Sequence, residues 1–290
     1  MTTPDVSVVI VNYNAGLELA SALQSIAEDL AGREWEAVVV DNASSDDSSG
    51  AVDGFGPRAR LVRNEQNVGF ARGVNQGLTA TSAPLVLILN PDCRLVAGAF
   101  GALLYELEAS TSHAIVGPRI LNPDGSVQGS ARGDPDMLTG LFGRTTLVRR
   151  LLPNLAASRR NVVVDAAGNG SASLTVDWLS GACMLARRDV LLQVQGFDER
   201  YFLYWEDADL CRRVRARGYQ VRYVPSATAV HRVGHSSRGG RAAAVRAFHE
   251  SAYLYYAIHV APNAPPKRVL ARLLLALRCR VKLRARSGIS

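Results

Sequence analysis

Cysteine is scarce in this sequence. Four of its 290 residues, Cys93, Cys183, Cys211 and Cys279, stand far apart, with no CxxC pair and no Cys/His spacing suited to zinc. The pattern suits a reducing compartment and argues against a disulfide framework or a structural zinc. Glycine-rich phosphate loops are missing too: there is no GxxxxGK[ST], and no GxGxxG follows the first predicted strand. A phosphorylated ligand would therefore need positive charge from another source. The opening MTTPDVSVVIVNYN lacks the basic leader and small-residue cleavage site of a secretory signal. Internal repeats and long low-complexity runs are absent.

Acidic residues are missing from the tail. Between Lys267 and Arg286, KRVLARLLLALRCRVKLRAR carries eight basic residues and none acidic. The net charge of +7 is concentrated there, because the other 25 basic residues nearly balance 26 acidic ones. A nucleic-acid binder spreads basic charge over its reading surface, so nucleic acid is not an expected partner. The longest uncharged apolar run in the tail, Leu273 to Leu277, falls far short of the roughly 20 residues that span a bilayer. A basic helix with a leucine-rich face suits an anionic membrane surface. It equally suits docking on its own domain or on a partner protein.

Hydrophobic residues, 48% of the chain, suffice for one large α/β domain or two smaller ones. VSVVIVNYN (6–14) reads as a β-branched strand broken at Asn12, Tyr13 and Asn14, and LELASALQSIAEDL (17–30) has helical spacing. EAVVVDNASSDDSSG (36–50) gives a strand ending at Asp41 and Asn42, then a Ser/Asp loop. ARLVRN (59–64) is a third strand, Gly69 to Leu78 a helix, and LVLILNPDC (85–93) a strand that proline cuts short. This alternation predicts a mainly parallel sheet wound by helices. Ligands of such sheets bind outside the carboxyl ends of the strands, so Asn12–Asn14, Asp41–Asn42 and Asn90–Asp92 should converge on one rim.

Residues 120–170 have weak periodicity and read as excursions over an acceptor site. Residues 173–197 predict a strand, a turn and a helix, and WEDADLCRRVRARG (205–218) a helix capped by Gly218. YQVRYVPSATAVHRVGHSS (219–237) predicts two short strands and a polar loop, and AFHESAYLYYAIHVAP (247–262) a packing helix.

On the rim, Asp92 suits a hard divalent cation, which takes few protein oxygens and completes its shell with phosphate and water. The plainer account is a turn cap after a strand. Asp41 likewise either caps an Asx turn or accepts hydrogen bonds from a base or ribose. In NEQNVGFARGVNQG (64–77), Arg72 and Asn75 stand near the same ligand, or Gly69 and Gly73 simply allow close helix-to-sheet packing.

In order and spacing, VSVVIVNYN, VVVDNASSD, NVGFARGVNQG, LILNPDC, DWLSGACMLARRDVL, GFDERYFLYWEDADLCRRVRARG and VHRVGHSS resemble glycosyltransferase family 2, the inverting enzymes of GT-A fold. Within it they are similar to the rhamnosyltransferase-like branch. The resemblance runs from about residue 6 to 237. It implies a GT-A domain over 1–240, with a nucleotide-sugar half (1–118) and an acceptor half (119–240), and a basic helical extension over 241–290. It implies a nucleotide-diphospho-sugar donor, with Asn12, Asn14, Asp41, Arg72 and Asn75 around the nucleoside. Asn90 and Asp92 occupy the place of the family's DxD metal motif, and asparagine at its first position leaves Asp92 as the anchor. His231 matches the histidine that completes the metal shell, with His235 the weaker match. A neutral imidazole favours Mn2+ over Mg2+.

Glycosyl transfer needs the charge on the departing nucleotide diphosphate neutralised and the acceptor hydroxyl deprotonated as it attacks. Asp207 lines up with the family's base. Glu206 and Asp209 also fit a helix-dipole account, Asp209 pairing with Arg213 at i,i+4. Asp177, Trp178, Gly181, Trp205 and Glu206 are the expected lining of the sugar and acceptor pocket, with Trp205 equally a core aromatic. The resemblance implies rhamnose from dTDP-rhamnose, with galactofuranose and glucose as rivals, moved to a glycan or polyprenyl-diphosphate-linked acceptor. Such an enzyme would be cytoplasmic and peripheral to the inner face of the membrane. Two rival readings are a sugar-phosphate nucleotidyltransferase, disfavoured because NYNAGLELA holds no basic residue, and a non-catalytic nucleotide-sugar-binding module.

Overall fold

In a computed structural model, which describes residues 4–134, 172–232 and 240–287, the first hundred residues fold as their periods demand. Strand β1 (Val6–Asn12) is buried throughout, and β2 (Trp35–Asp41) nearly so, which is why both read as unbroken Val/Ile runs. Helix α1 (Glu18–Asp29) joins them; β3 (Ala59–Arg63), α2 (Phe70–Ala80) and β4 (Leu85–Leu89) follow. The parallel order is β3-β2-β1-β4, and Asn12 stands beside Asp41 in register. Helix α2 lies close on this sheet because Gly73 and Gly77 face Val11 and Val9. A β-carbon at residue 77 would come within 2.3 Å of the Val9 side chain.

The second half departs from the expected parallel winding. After β5 (Cys93–Leu95), α3 (Ala99–Glu108), β6 (His113–Leu121), β7 (Val127–Gln128) and β8 (Ala131–Arg132) come β9 (Leu174–Val176), β10 (Trp178–Leu179) and β11 (Cys183–Arg187). Strand β11 starts at the rim directly after a turn, so it runs back antiparallel to β4; a parallel neighbour would need a crossover of a dozen residues. It is also antiparallel to β6. Residues 173–197 thus give three short strands and helix α4 (Arg188–Gln193), where one strand and a helix were expected. Helix α5 (Glu206–Arg215) follows, and Gly218 turns the chain at φ 88° just beyond it.

The two short strands expected after Gly218 are one strand, β12 (Gln220–His231). It lies parallel to β6, with a register shift between Val224 and Thr228, around Pro225. Proline removes one ladder donor there without ending the pairing. The full order is β3-β2-β1-β4-β11-β6-β12-β5, so residue 118 falls inside a strand of a continuous sheet. Of the expected excursions over 120–170, residues 135–171 lie outside the described residues, as does His235.

The extension comprises α6 (Arg241–Tyr255), a π-helical turn (Tyr256–Val260) and α7 (Pro265–Ser287). Among the described residues no helix is long and apolar enough to cross a membrane.

Candidate active site

Two polar poles meet on the rim where β4 and β11 adjoin. At the first, the turn after β4 presents Asp92, and the end of β12 brings His231 beside it through pairing with Cys93. His231 Nε2 lies 3.1 Å from Asp92 Oδ1 and 3.4 Å from Asn90 Nδ2. The ring is held from behind by Gln128, on β7. Gln128 Nε2 donates to the His231 carbonyl (2.7 Å) and to Asn122 Oδ1 (2.8 Å), so its Oε1 must accept from His231 Nδ1–H at 3.0 Å. That makes Nδ1 a donor and turns Nε2 towards the carboxylate and the Asn90 amide; in the neutral ring Nε2 carries a lone pair. A lone pair and an anionic oxygen this close repel unless a cation, proton or metal, lies against both. The pair therefore fits a divalent ion with one nitrogen and one oxygen from protein. No group of three or more His, Cys, Asp or Glu side chains is placed to hold a metal among the described residues, so other ligands would come from donor phosphate and water.

The second pole is the start of α5. Gly181 N donates to Asp207 Oδ2 at 3.0 Å, while the neighbouring carbonyl of Ala182 accepts from Asn90 N at 2.9 Å. One dipeptide thus joins Asp207 to the turn that carries Asp92. A β-carbon at residue 181 would make ordinary contacts at 3.5 Å, so its N–H, rather than its small size, matters here. Asp207 is half-buried, whereas its neighbours Glu206 and Asp209 are 5% and 1% exposed.

Asp209 accepts from Arg213 at the expected i,i+4 spacing (2.7 Å) and stands 2.6 Å from His259 Nε2. Glu206 departs from the helix-dipole account. Burial first, then the charges of Asp207 and Asp209, push its carboxyl well above the usual range, so it sits neutral with Oε2 unpartnered.

The helix is entered through strained backbone: Tyr204 and Trp205 both lie in the left-handed region, at φ 70° and 73°. Trp205 is a packing aromatic. Its ring stands 5.4 Å from Tyr255 and 5.8 Å from Phe248, both on α6, with Nε1 buried. The ring is half-buried against the extension, as the core-aromatic alternative expects.

Other expected site residues turn out to brace the fold. Asn12 Nδ2 donates to Asp41 Oδ1, Ser44 Oγ and Ser48 Oγ. Asp41 also accepts from Ser44 N and Oγ, the Asx-type arrangement, and Asn14 Oδ1 accepts from Ser45 N and Oγ. This network folds the 44–48 loop onto the rim. Asn75, on α2, both donates to Phe197 O and accepts from Phe197 N at 2.9 Å, which ties α2 to the loop after α4. Arg72 points towards Glu199 at 3.7 Å. Asp177 pairs with Arg215 and accepts from Asp134 N, a strut at the far end of α5 from Asp207. Trp178 donates to Gly133 O, and Arg132 lies over its ring.

Residues 7–192 match the family model described as Glycosyl transferase family 2. An N-acetylglucosaminyl-diphospho-decaprenol L-rhamnosyltransferase of Mycobacterium tuberculosis is 32% identical over 293 residues, covering 96% of this chain and 92% of that protein. The mannosyltransferase PcManGT from Pyrobaculum calidifontis, solved with GDP-Man and Mn2+, superposes with a TM-score of 0.59 at 18% identity, over 100% of this chain and 77% of that one. GalNAc-T7, solved with UDP, GalNAc and Mn2+, gives 0.60 at 16% identity over 79% of this chain and 44% of that one. The fold is that of the GT-A glycosyltransferases. Within that class the chain belongs to glycosyltransferase family 2, and it is rhamnosyltransferase-like in sequence.

Proposed function

We propose that the chain moves a sugar, rhamnose from dTDP-rhamnose before other donors, with inversion onto a hydroxyl of a lipid-linked or cell-surface glycan acceptor. The observation that carries this is the Gly181–Ala182 dipeptide, bonded to Asn90 on one side and to Asp207 on the other. It supports the reading by holding the Asn90–Asp92 turn and the start of α5 beside each other on one rim. The acceptor class is supported by the similar mycobacterial protein, whose name specifies a diphospho-decaprenol substrate. An acceptor of that kind places the enzyme at the inner face of a membrane.

Asp92 and His231 would hold the cation, Mn2+ ahead of Mg2+ because imidazole is one ligand. When bound, the cation neutralises charge on the departing diphosphate. Asn12, Asn14 and Asp41 shape the nucleoside end of the rim by holding the 44–48 loop. Asp207 takes the proton from the attacking hydroxyl. Of the three carboxylates in the first turn of α5 it alone is exposed enough to meet an acceptor, and Gly181 N–H holds its Oδ2 in place.

The test offers dTDP-rhamnose, UDP-galactofuranose and UDP-glucose with a polyprenyl-diphosphate-linked N-acetylglucosamine acceptor and Mn2+. Transfer from dTDP-rhamnose with inverted anomeric configuration is expected. A retained configuration, or equal turnover after chelation, would overturn the mechanism; preference for another sugar would replace the donor.

A further inference from the structure

Helix α7 meets the rest of the molecule along one narrow face. Ala271 and Leu275 are buried there, Ala271 in a cluster with Tyr256 and Ala261, and Arg272 and Arg278 lie over the rings of Tyr253 and Phe248. The opposite face is apolar as well. Val269, Leu270, Leu273, Leu274, Leu277 and Val281 are between 37% and 63% exposed. Their three- and four-residue spacing places them on one stripe, turned about 100° per residue away from the docked side.

A helix that simply packs on its own domain in water has this arrangement the other way out, with its polar side to solvent. A contiguous apolar patch facing solvent marks an interaction surface. Lys267, Arg280 and Arg284 lie beside or among these residues on the exposed side, Arg268 and Lys282 turn towards the docked side, and the helix holds no acidic residue. An apolar stripe with cationic margins complements an anionic bilayer, whose headgroups meet the margins while the leucines enter the acyl boundary. A second copy fits poorly, because pairing two such stripes would bring like-charged margins together.

We propose that the outward face of α7 docks in the headgroup layer of an anionic membrane. Phe248, beneath Arg278, also touches Tyr204 and Trp205 at the entrance to α5. The docked helix therefore sets the acceptor side of the site near the bilayer, a consequence that rests on the transferase reading.

The test mixes the full chain with phosphatidylglycerol/phosphatidylcholine vesicles and with phosphatidylcholine vesicles alone, and measures co-sedimentation. Binding to the anionic vesicles that falls with added salt is expected. The double variant Leu273→Glu/Leu277→Glu should weaken it on the order of a hundredfold. Both side chains are more than half exposed and belong to no core cluster, so the melting temperature should change little. Unchanged vesicle binding by the variant, or equal binding to the neutral vesicles, would overturn the proposal. So would a concentration-dependent dimer that the variant converts to monomer. Vesicle binding is read without any sugar donor, so a failure of the transferase reading would leave it intact.

Discussion

Glu206, Asp207 and Asp209 lie within four residues of one another and meet three different environments. Asp209 is enclosed between Arg213 and His259, Glu206 is buried neutral, and Asp207 faces the rim. Asp207→Asn keeps the hydrogen bond from Gly181 but cannot take a proton. Donor affinity by calorimetry should hold, while turnover falls about 100- to 10,000-fold; normal turnover would remove Asp207 from the mechanism. Glu206 carries a pH signature. Because its folded-state carboxyl titrates above its unfolded value, its contribution to stability is complete below the ordinary carboxyl range and is lost as pH rises towards the raised value. Glu206→Gln, which mimics the neutral acid, should therefore flatten the decline in melting temperature as pH rises above the ordinary carboxyl range. An identical decline in both proteins would show that Glu206 is ionised in the fold. Gln128 acts through His231. Gln128→Leu should weaken Mn2+ binding about 10- to 100-fold by electron paramagnetic resonance titration, with rescue by Glu, which can still accept from Nδ1–H. Unaltered Mn2+ affinity in the Leu variant would sever that link.

Among the elements, α2 is positioned by an absence of side chain. Gly77→Ala forces a methyl group against Val9 and should cost about 1–3 kcal/mol by urea denaturation. Gly101, exposed on α3 with no neighbour near its missing β-carbon, should instead gain about 0.5–1 kcal/mol from the same change. A loss at Gly101 as well would refute the gain expected from restricting the unfolded chain there. Elements with a strong period were legible in the sequence: β1, β2, β4, α1 and α5 appear within a residue or two of where their patterns put them, α5 apart from its last turn. Elements defined by distant pairing were not. β12 reads as two strands because Pro225 interrupts its pattern, and only the ladder with β6 carries it through. The same distance effect hid residues. Asn75 looked free to bind a ligand because Phe197 lies 122 positions away, and nothing in SVQGSARG marked Gln128 as the support of a histidine 103 positions later. Asn90, Asp92, His231 and Asp207 stood out in the sequence because they fall in short local motifs, and the roles given to them belong to the proposal above.

At the scale of the whole molecule, one sheet runs through both expected halves, and its strands bring separated residues together. Cys93 and Cys183, 90 positions apart, are neighbouring free thiols. Their mutual hydrogen bond and burial push the Cys93 thiol up, which makes it unreactive. The extension is tied to the enzymatic body by Asp209, on α5, and His259, in the π-helical turn. Asp209→Asn should destabilise the chain by about 3–5 kcal/mol in chemical denaturation, because the Arg213 guanidinium loses its buried counter-charge. A change below about 1 kcal/mol would show the joint to be dispensable.

The two left-handed residues ahead of Asp207 are an uphill conformation wedged in place by rings that belong to the extension. Cutting the chain after residue 240 would take away that wedge. The first turn of α5 could then relax, so the shortened protein would lose the aim of its carboxylate before it lost its sheet.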